Sequence, residues 1–179
     1  KLKSSNIKKI NFKYGDLNLE KLIKIDDFNN ANIFLIFGSS FIKGKLFDYL
    51  KKKKALNIHM GVMPFYRGTD CNFWAVNDLQ FKKIGASLML LSKKIDNGKV
   101  LSIFHLKEII NKNLFFNSML ACKLSIDYFV NFLKKRKRIK FLKIDKSKLI
   151  RLSKKEDFND FSISKFNSIQ KKINLIKNK

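Results

Sequence analysis

Ile33-Phe34-Leu35-Ile36-Phe37-Gly38-Ser39-Ser40, the lysine-rich segment from Lys45 to about Lys53, and Ala55-Leu56-Asn57-Ile58-His59 together decide the fold. Five consecutive apolar residues closed by Gly-Ser-Ser have the pattern of a strand buried on both faces of a parallel sheet. In the segment that follows, Leu46, Phe47 and Leu50 fall on one helical face. Lys51 to Lys54 stand at its carboxyl end, where the helix dipole favours cations. Ala55 to His59 then reads as a second strand. Strand, helix and strand in direct succession form a right-handed parallel crossover. The expectation is an α/β fold, Rossmann-like, with a mostly parallel sheet and flanking helices.

Working outward, Thr69 or Asp70 is placed to cap a helix carrying Phe73, Trp74 and Val76. Residues 84–91 and 100–104 read as two more strands, joined through Asp96-Asn97-Gly98. From about Asn117 to Lys135, Leu120, Leu124, Val130 and Leu133 mark the apolar stripe of a long sheet-covering helix. Ser162 opens a last helix, in which Ile163, Phe166, Ile169, Ile173 and Ile176 recur at spacings of three and four, a face able to dock on the body or on a partner. Residues 1–30 show no clear period. The chain thus divides into a body over 1–145 and a short basic tail with an amphipathic helix over 146–179. It begins without an initiator Met or a signal-peptide pattern, which reads as a processed or truncated chain.

Composition narrows the classes. With 45% hydrophobic and 13% aromatic residues among 179, wholesale disorder is excluded. The longest apolar run is far below the roughly 20 residues of a spanning helix, so no membrane partner is expected. A formal charge of +25 points toward anionic partners. Its carriers are nearly all lysine, Arg67, Arg136, Arg138 and Arg151 being the arginines, whereas nucleic-acid readers favour the bidentate guanidinium. Cys71 and Cys122 lie far apart with no CxxC pairing, so neither a metal site nor a disulfide is signalled, and a cytoplasmic setting fits. The oligomeric state stays open, a homodimer being one option.

Asn57 and His59 are two apart on a strand and point to one side, with Ile58 turned into the packing. They stand at the carboxyl end of a parallel strand, where open α/β sheets bind ligands. A buried His and Asn satisfied by backbone is the equally simple alternative. The wider run Asn57-Ile58-His59-Met60-Gly61-Val62-Met63-Pro64-Phe65-Tyr66-Arg67-Gly68 carries more, followed by Asn72-Phe73-Trp74-Ala75, Gly85-Ala86-Ser87 and Ile95-Asp96-Asn97-Gly98-Lys99-Val100-Leu101.

That order of N-x-H, P-x-Y-R-G and I-D-x-G resembles the catalytic region of the folate-dependent formyltransferases. This family includes methionyl-tRNA formyltransferase, glycinamide ribonucleotide transformylase and the sugar-nucleotide N-formyltransferases. The resemblance runs from about Ile33 to Phe104. It implies that Asn57, His59 and Asp96 are a catalytic trio moving a formyl group from 10-formyltetrahydrofolate to a primary amine. In that chemistry the amine attacks the formyl carbon, an oxyanion forms, and a proton travels toward the departing folate nitrogen. Asn57 has an amide donor for the oxyanion. His59 suits charge stabilisation or proton relay. Asp96 suits direct proton acceptance or orientation of the imidazole.

The resemblance also implies that the pterin lies between Phe37, Gly38, Ser39, Ser40, Phe41 and Ile42 on one side and Leu90, Leu91 and Ile95 on the other. Arg67 is read either as part of a turn or as a substrate contact. Phe73 and Trp74 are read as helix packing in preference to substrate stacking. Relative to the family, the sheet looks shortened at its start. The tRNA-acting members carry a further barrel domain for which the mostly helical remainder after Phe104 has no equivalent. Leu149-Ile150-Arg151-Leu152-Ser153-Lys154-Lys155-Glu156-Asp157-Phe158 looks like the short tail of the sugar enzymes. The expected acceptor is therefore a nucleotide-linked amino sugar, with methionyl-tRNA and glycinamide ribonucleotide as alternatives. A different class of reading is an inactive, basic binding module.

Overall fold

The computed structural model describes residues 8–13, 17–105, 113–135 and 139–176. The chain's first residues and Arg136 and Arg138 lie outside these. Along the chain run α1 (Leu19–Leu22), α2 (Asp26–Asn29), β1 (Leu35–Phe37), α3 (Gly44–Lys52), β2 (Leu56–His59), β3 (Tyr66–Gly68) and α4 (Cys71–Asn77). Then follow β4 (Gly85–Leu90), β5 (Val100–His105), α5 (Leu114–Lys134), β6 (Arg151–Ser153) and α6 (Asp160–Ile176). The main sheet has the order β1-β2-β4-β5, and β3 with β6 makes a separate two-stranded sheet.

The strand-helix-strand reading of residues 33–59 holds. α3 buries Leu46, Phe47 and Leu50, and β1 pairs parallel with β2, Leu35 opposite Leu56. The architecture is α/β with flanking helices, but the sheet is mixed where a mostly parallel one was expected. β2 and β4 are antiparallel, with Asn57 opposite Met89 and His59 opposite Ser87, and β4 and β5 are antiparallel as well. Connection length accounts for β5, which the short loop after Leu90 returns directly alongside β4, while the longer link from β2 to β4, which carries β3 and α4, brings β4 back antiparallel to β2.

β1 departs from expectation in a second way, since it is not buried on both faces. Leu35 and Phe37 are 37% and 41% exposed. They sit on an edge strand, and the helix on that side, α5, packs against β2, β4 and β5 instead. Phe34 and Ile36 do pack, with α3, around Leu46, Leu50 and Ala55.

The sheet's other strands meet α5 through Leu56, Ile58, Ala86, Leu88 and Leu101, which close on Ala121, Cys122 and Phe129. Each large aliphatic side chain buried there contributes roughly 1.5–3 kcal/mol. The buried face of α5 runs through Leu114, Asn117, Ser118, Ala121, Cys122, Ser125 and Phe129, while Leu124 of the expected stripe is exposed. Small side chains let the helix approach the sheet closely, and a reading by hydrophobicity overlooks them. α5 starts ahead of its expected position because the Asn113 side-chain oxygen accepts from the amides of Phe115 and Phe116, at 2.9 and 3.2 Å.

α6 docks on the body. Phe166, Ile169 and Ile173 pack on the cluster formed by Tyr66, Cys71, Trp74, Val76, Ile84 and Leu114. Its start is fixed reciprocally: the Ser162 amide donates to Asn159 Oδ1 (3.0 Å) and the Asn159 amide donates to Ser162 Oγ (3.1 Å). Asp70 holds the N-cap position of α4 in a left-handed conformation but makes no capping hydrogen bond, so the expected side-chain cap is absent there.

The β3–β6 pair went unread in the sequence because three-residue strands carry no periodicity. Its parallel register sets Tyr66 against Arg151 and Gly68 against Ser153. Gly68 has φ +96°, and any Cβ there would collide with the Ser153 carbonyl, so only glycine permits this approach. Arg151 anchors β6 from the side. Its guanidinium donates to both carboxylate oxygens of Asp78 (3.1 and 2.7 Å) and lies 4.5 Å over the Trp74 ring.

Candidate active site

Three elements converge at the carboxyl ends of β1 and β2. β2 projects Asn57 and His59 from one face while Ile58 enters the core beneath α5. The β4–β5 loop delivers Asp96, itself in a left-handed conformation at φ +40°. The loop is held closed by Asn97, whose amide donates to Ser92 Oγ (3.3 Å), and by Gly98, which lies so close to the Leu90 carbonyl that a side chain would not fit. β3 passes behind both and contacts each.

His59 is buried, with its two ring nitrogens differently engaged. Nε2 is 3.0 Å from the Tyr66 carbonyl oxygen and Nδ1 is 3.3 Å from Asp96 Oδ2. A carbonyl can only accept, so Nε2 carries a proton. The Nδ1 contact then closes as a hydrogen bond only with a second proton between imidazole and carboxylate. Asp96 Oδ2 also accepts from the Gly68 amide at 3.0 Å. The carboxylate is thereby held from two sides.

In front of Asp96 lies a cavity of about 340 Å³, near the lower end of the roughly 300–1,000 Å³ of small-molecule sites. Asn57 and Asp96 line it; His59 does not, standing behind Asp96. Among the described residues the Asn57 side-chain amide has no hydrogen-bond partner, and the residue lines the cleft. The structure thus brings together the expected trio in two tiers, amide and carboxylate at the surface and imidazole beneath.

Of the residues expected around the pterin, Ser39, Ser40, Phe41 and Ile42 line one wall and Leu90, Leu91 and Ile95 the other. Phe37 and Gly38 do not reach the cavity. Phe37 stands opposite Ile58 in the register and so points to the α5 side of the sheet. Arg67 donates from Nε and Nη2 to the Ile95 carbonyl, at 3.0 and 2.6 Å. Phe73 and Trp74 pack against each other and against α6, where packing of their helix onto the sheet was expected.

Several cavity residues carried no local sequence pattern. Ser153, Lys154 and Lys155 form the wall that β6 brings over from the far end of the chain, beside Thr69, which follows β3. The resemblance of residues 149–158 to a sugar-enzyme tail was the one cue available. Lys154 and Lys155 are the cations among the residues lining this cavity.

Nearby groups are tuned by burial. The Cys71 thiol, whose sulfur lies 3.5 Å from the Gly68 carbonyl, is pushed far up, first by burial and then by the Asp96 charge. Burial, with Asp78 second, raises the Tyr66 phenol. Among the described residues no group of three or more His, Cys, Asp or Glu is placed to hold a metal, and no helix is long and apolar enough to cross a membrane.

No protein-family model matches the chain. A curated methionyl-tRNA formyltransferase from Finegoldia magna is 32% identical over 84 residues, which are 46% of this chain and 26% of that protein. The chain therefore spans about a quarter of the length of the curated relative it matches. Among solved structures, it is similar to a formyltransferase from Anoxybacillus kamchatkensis in complex with UDP-4,6-dideoxy-4-formamido-L-AltNAc and tetrahydrofolate. The TM-score is 0.59 at 17% identity, covering 75% of this chain and 70% of that one. A 4-N formyltransferase from Francisella tularensis aligns with TM-score 0.60 at 15% identity over 81% of this chain and 60% of its own. A methionyl-tRNA formyltransferase from Clostridium thermocellum aligns with TM-score 0.56 at 19% identity, over 84% and 67% respectively. The chain has the formyltransferase fold and resembles the formyltransferase family.

Proposed function

We propose that this cleft transfers a formyl group from 10-formyltetrahydrofolate to the primary amine of a nucleotide-linked amino sugar. The observation that carries the reading is the convergence of the unpaired Asn57 amide and the Asp96 carboxylate on one cavity, with His59 joined to Asp96 behind it. The cavity walls fit a flat heterocycle. Phe41, Ile42, Leu90 and Leu91 supply apolar surface, while loop backbone at Ser39, Ser40 and Ser92 supplies donors and acceptors. When bound, the folate supplies the activated formyl carbon.

The chain's own residues then divide the work. Asn57 donates its amide N–H to the formyl oxygen, an interaction that strengthens as negative charge develops there. Asp96 faces the incoming amine and takes its proton. His59 stands behind that carboxylate with Nε2–H committed to Tyr66, so its Nδ1 lone pair shares the proton Asp96 takes and holds the carboxyl group in place once that proton has arrived. Lys154 and Lys155 on the facing wall favour an acceptor carrying phosphate, and the +25 charge raises its local concentration.

The Finegoldia magna relative favours methionyl-tRNA as a second acceptor. One experiment separates the two. The chain is incubated with 10-formyltetrahydrofolate and either nucleotide-linked amino sugars or charged methionyl-tRNA, and the products are weighed by mass spectrometry. Gain of one formyl group on a sugar supports the principal reading; gain on methionyl-tRNA alone transfers it to the second. No gain on any amine rejects both.

A further inference from the structure

β3 is only three residues long, yet each residue touches a different part of the candidate site. The Tyr66 carbonyl accepts from His59 Nε2 at 3.0 Å, the Gly68 amide donates to Asp96 Oδ2 at 3.0 Å, and the Arg67 guanidinium between them donates twice to the carbonyl of Ile95. From these contacts we infer that Arg67 is a positioning residue that fixes the Asp96 loop, and that its guanidinium does not serve as an acceptor contact. The inference rests on the proposed formyl transfer for its kinetic consequence, though its geometric core stands without it.

The argument is one of constraint. Asp96 is a non-glycine residue at φ +40°, a conformation that the surrounding structure must hold in place. Its side chain meets His59 and Gly68, and Ser92, Asn97 and Gly98 close the loop on itself. Arg67 ties that closed loop to β3 by gripping the carbonyl of the residue immediately before Asp96. Two donors of one rigid fork converge on a single oxygen, a geometry that restricts direction as well as distance. β3 is itself held down. Gly68 pairs with Ser153, Ser153 Oγ donates to the Arg67 carbonyl (3.2 Å), and the Tyr66 hydroxyl donates to Asp78 (3.2 Å), which Arg151 grips in turn. The carboxylate is thus referenced through β3 to the chain's far end at β6.

Arg67→Ala and Arg67→Lys test this, with unfolding midpoints recorded to separate misfolding from repositioning. The expected result for alanine is a fall in kcat on the order of tenfold to a hundredfold with KM within about twofold, the signature of displaced catalytic groups. Lysine, which keeps one donor head, is expected to lie between. Hydrogen exchange at the Gly68 amide supplies a readout that needs no turnover, and exchange about tenfold faster in Arg67→Ala is expected once the Asp96 acceptor drifts. A rise in KM with kcat preserved would overturn the inference in favour of substrate contact, and so would unchanged Gly68 exchange in a folded variant. If the wild-type chain transfers no formyl group, the proposed function fails while the exchange result still decides the role of Arg67.

Discussion

Asn72 spends both ends of its side-chain amide on a single residue. Nδ2 donates to the Gly85 carbonyl at 2.9 Å and Oδ1 accepts from the Gly85 amide at 2.8 Å, so a side chain of α4 pairs with the first residue of β4 as a neighbouring strand would. Both groups are buried. Replacing Asn72 by alanine strands a buried donor and a buried acceptor, each costing about 1–3 kcal/mol. Urea unfolding of Asn72→Ala is therefore expected to show a loss of about 2–4 kcal/mol. Asn72→Asp is expected to be no better, since an ionised carboxylate cannot donate to the Gly85 carbonyl. A loss below 0.5 kcal/mol in either variant contradicts this account of the pair.

Formyl transfer by Asp96→Asn is expected to fall at least about a hundredfold, because the amide is isosteric but cannot take a proton. His59→Ala is expected to fall by a similar factor through loss of the partner that orients Asp96. Together the two changes cost little more than either alone, since they break one unit. Full additivity in the double variant would show that the two groups act separately.

At the cavity wall, Lys154→Ala combined with Lys155→Ala is expected to raise KM for a phosphate-bearing acceptor several-fold at low salt and leave kcat nearly unchanged. The difference shrinks as salt is added, because exposed charges are screened beyond about 8–10 Å at physiological ionic strength. A salt-independent KM in the parent chain speaks against electrostatic recognition of the acceptor.

Alkaline stability follows from the buried thiols. Burial pushes Cys122 from 9.0 up to about 11, and Cys71 and Tyr66 move in the same direction. The folded state keeps protons that the unfolded chain has already released, so stability is complete below pH 9 and declines as pH rises toward about 11. The steepest slope available to one such group is about 1.4 kcal/mol per pH unit. Thermal midpoints measured from pH 8 to 11 should fall, and more gently in Cys122→Ala. A flat profile would show that the thiols ionise alike in both states.

How far the site could be read in advance depended on where its residues lie in the chain. Asn57, His59 and Asp96 belong to local patterns, a strand end and a hairpin loop, and their meeting follows once β2 and β4 pair. Ser153, Lys154 and Lys155 belong to none. They reach the cavity only because Gly68 admits β6 within backbone contact, a relationship between residues 85 positions apart that no window of sequence displays. The tiering of the trio was equally hidden, since two residues on one strand face look equivalent until Tyr66 claims one nitrogen of His59.

Local chemistry in the sequence by itself determined the strand-helix-strand unit, the hairpin carrying Asp96, the amphipathic final helix and the resemblance to formyltransferases. Those features depend on residues within a few positions of one another, where periodicity and turn preference act directly. Tertiary structure alone decided that the sheet is mixed, that α5 buries its small residues, that Leu35 and Phe37 stay exposed, and that β6 completes the cleft. Each of these depends on which surfaces come together, and burial is a property of neighbours that a chain acquires only on folding.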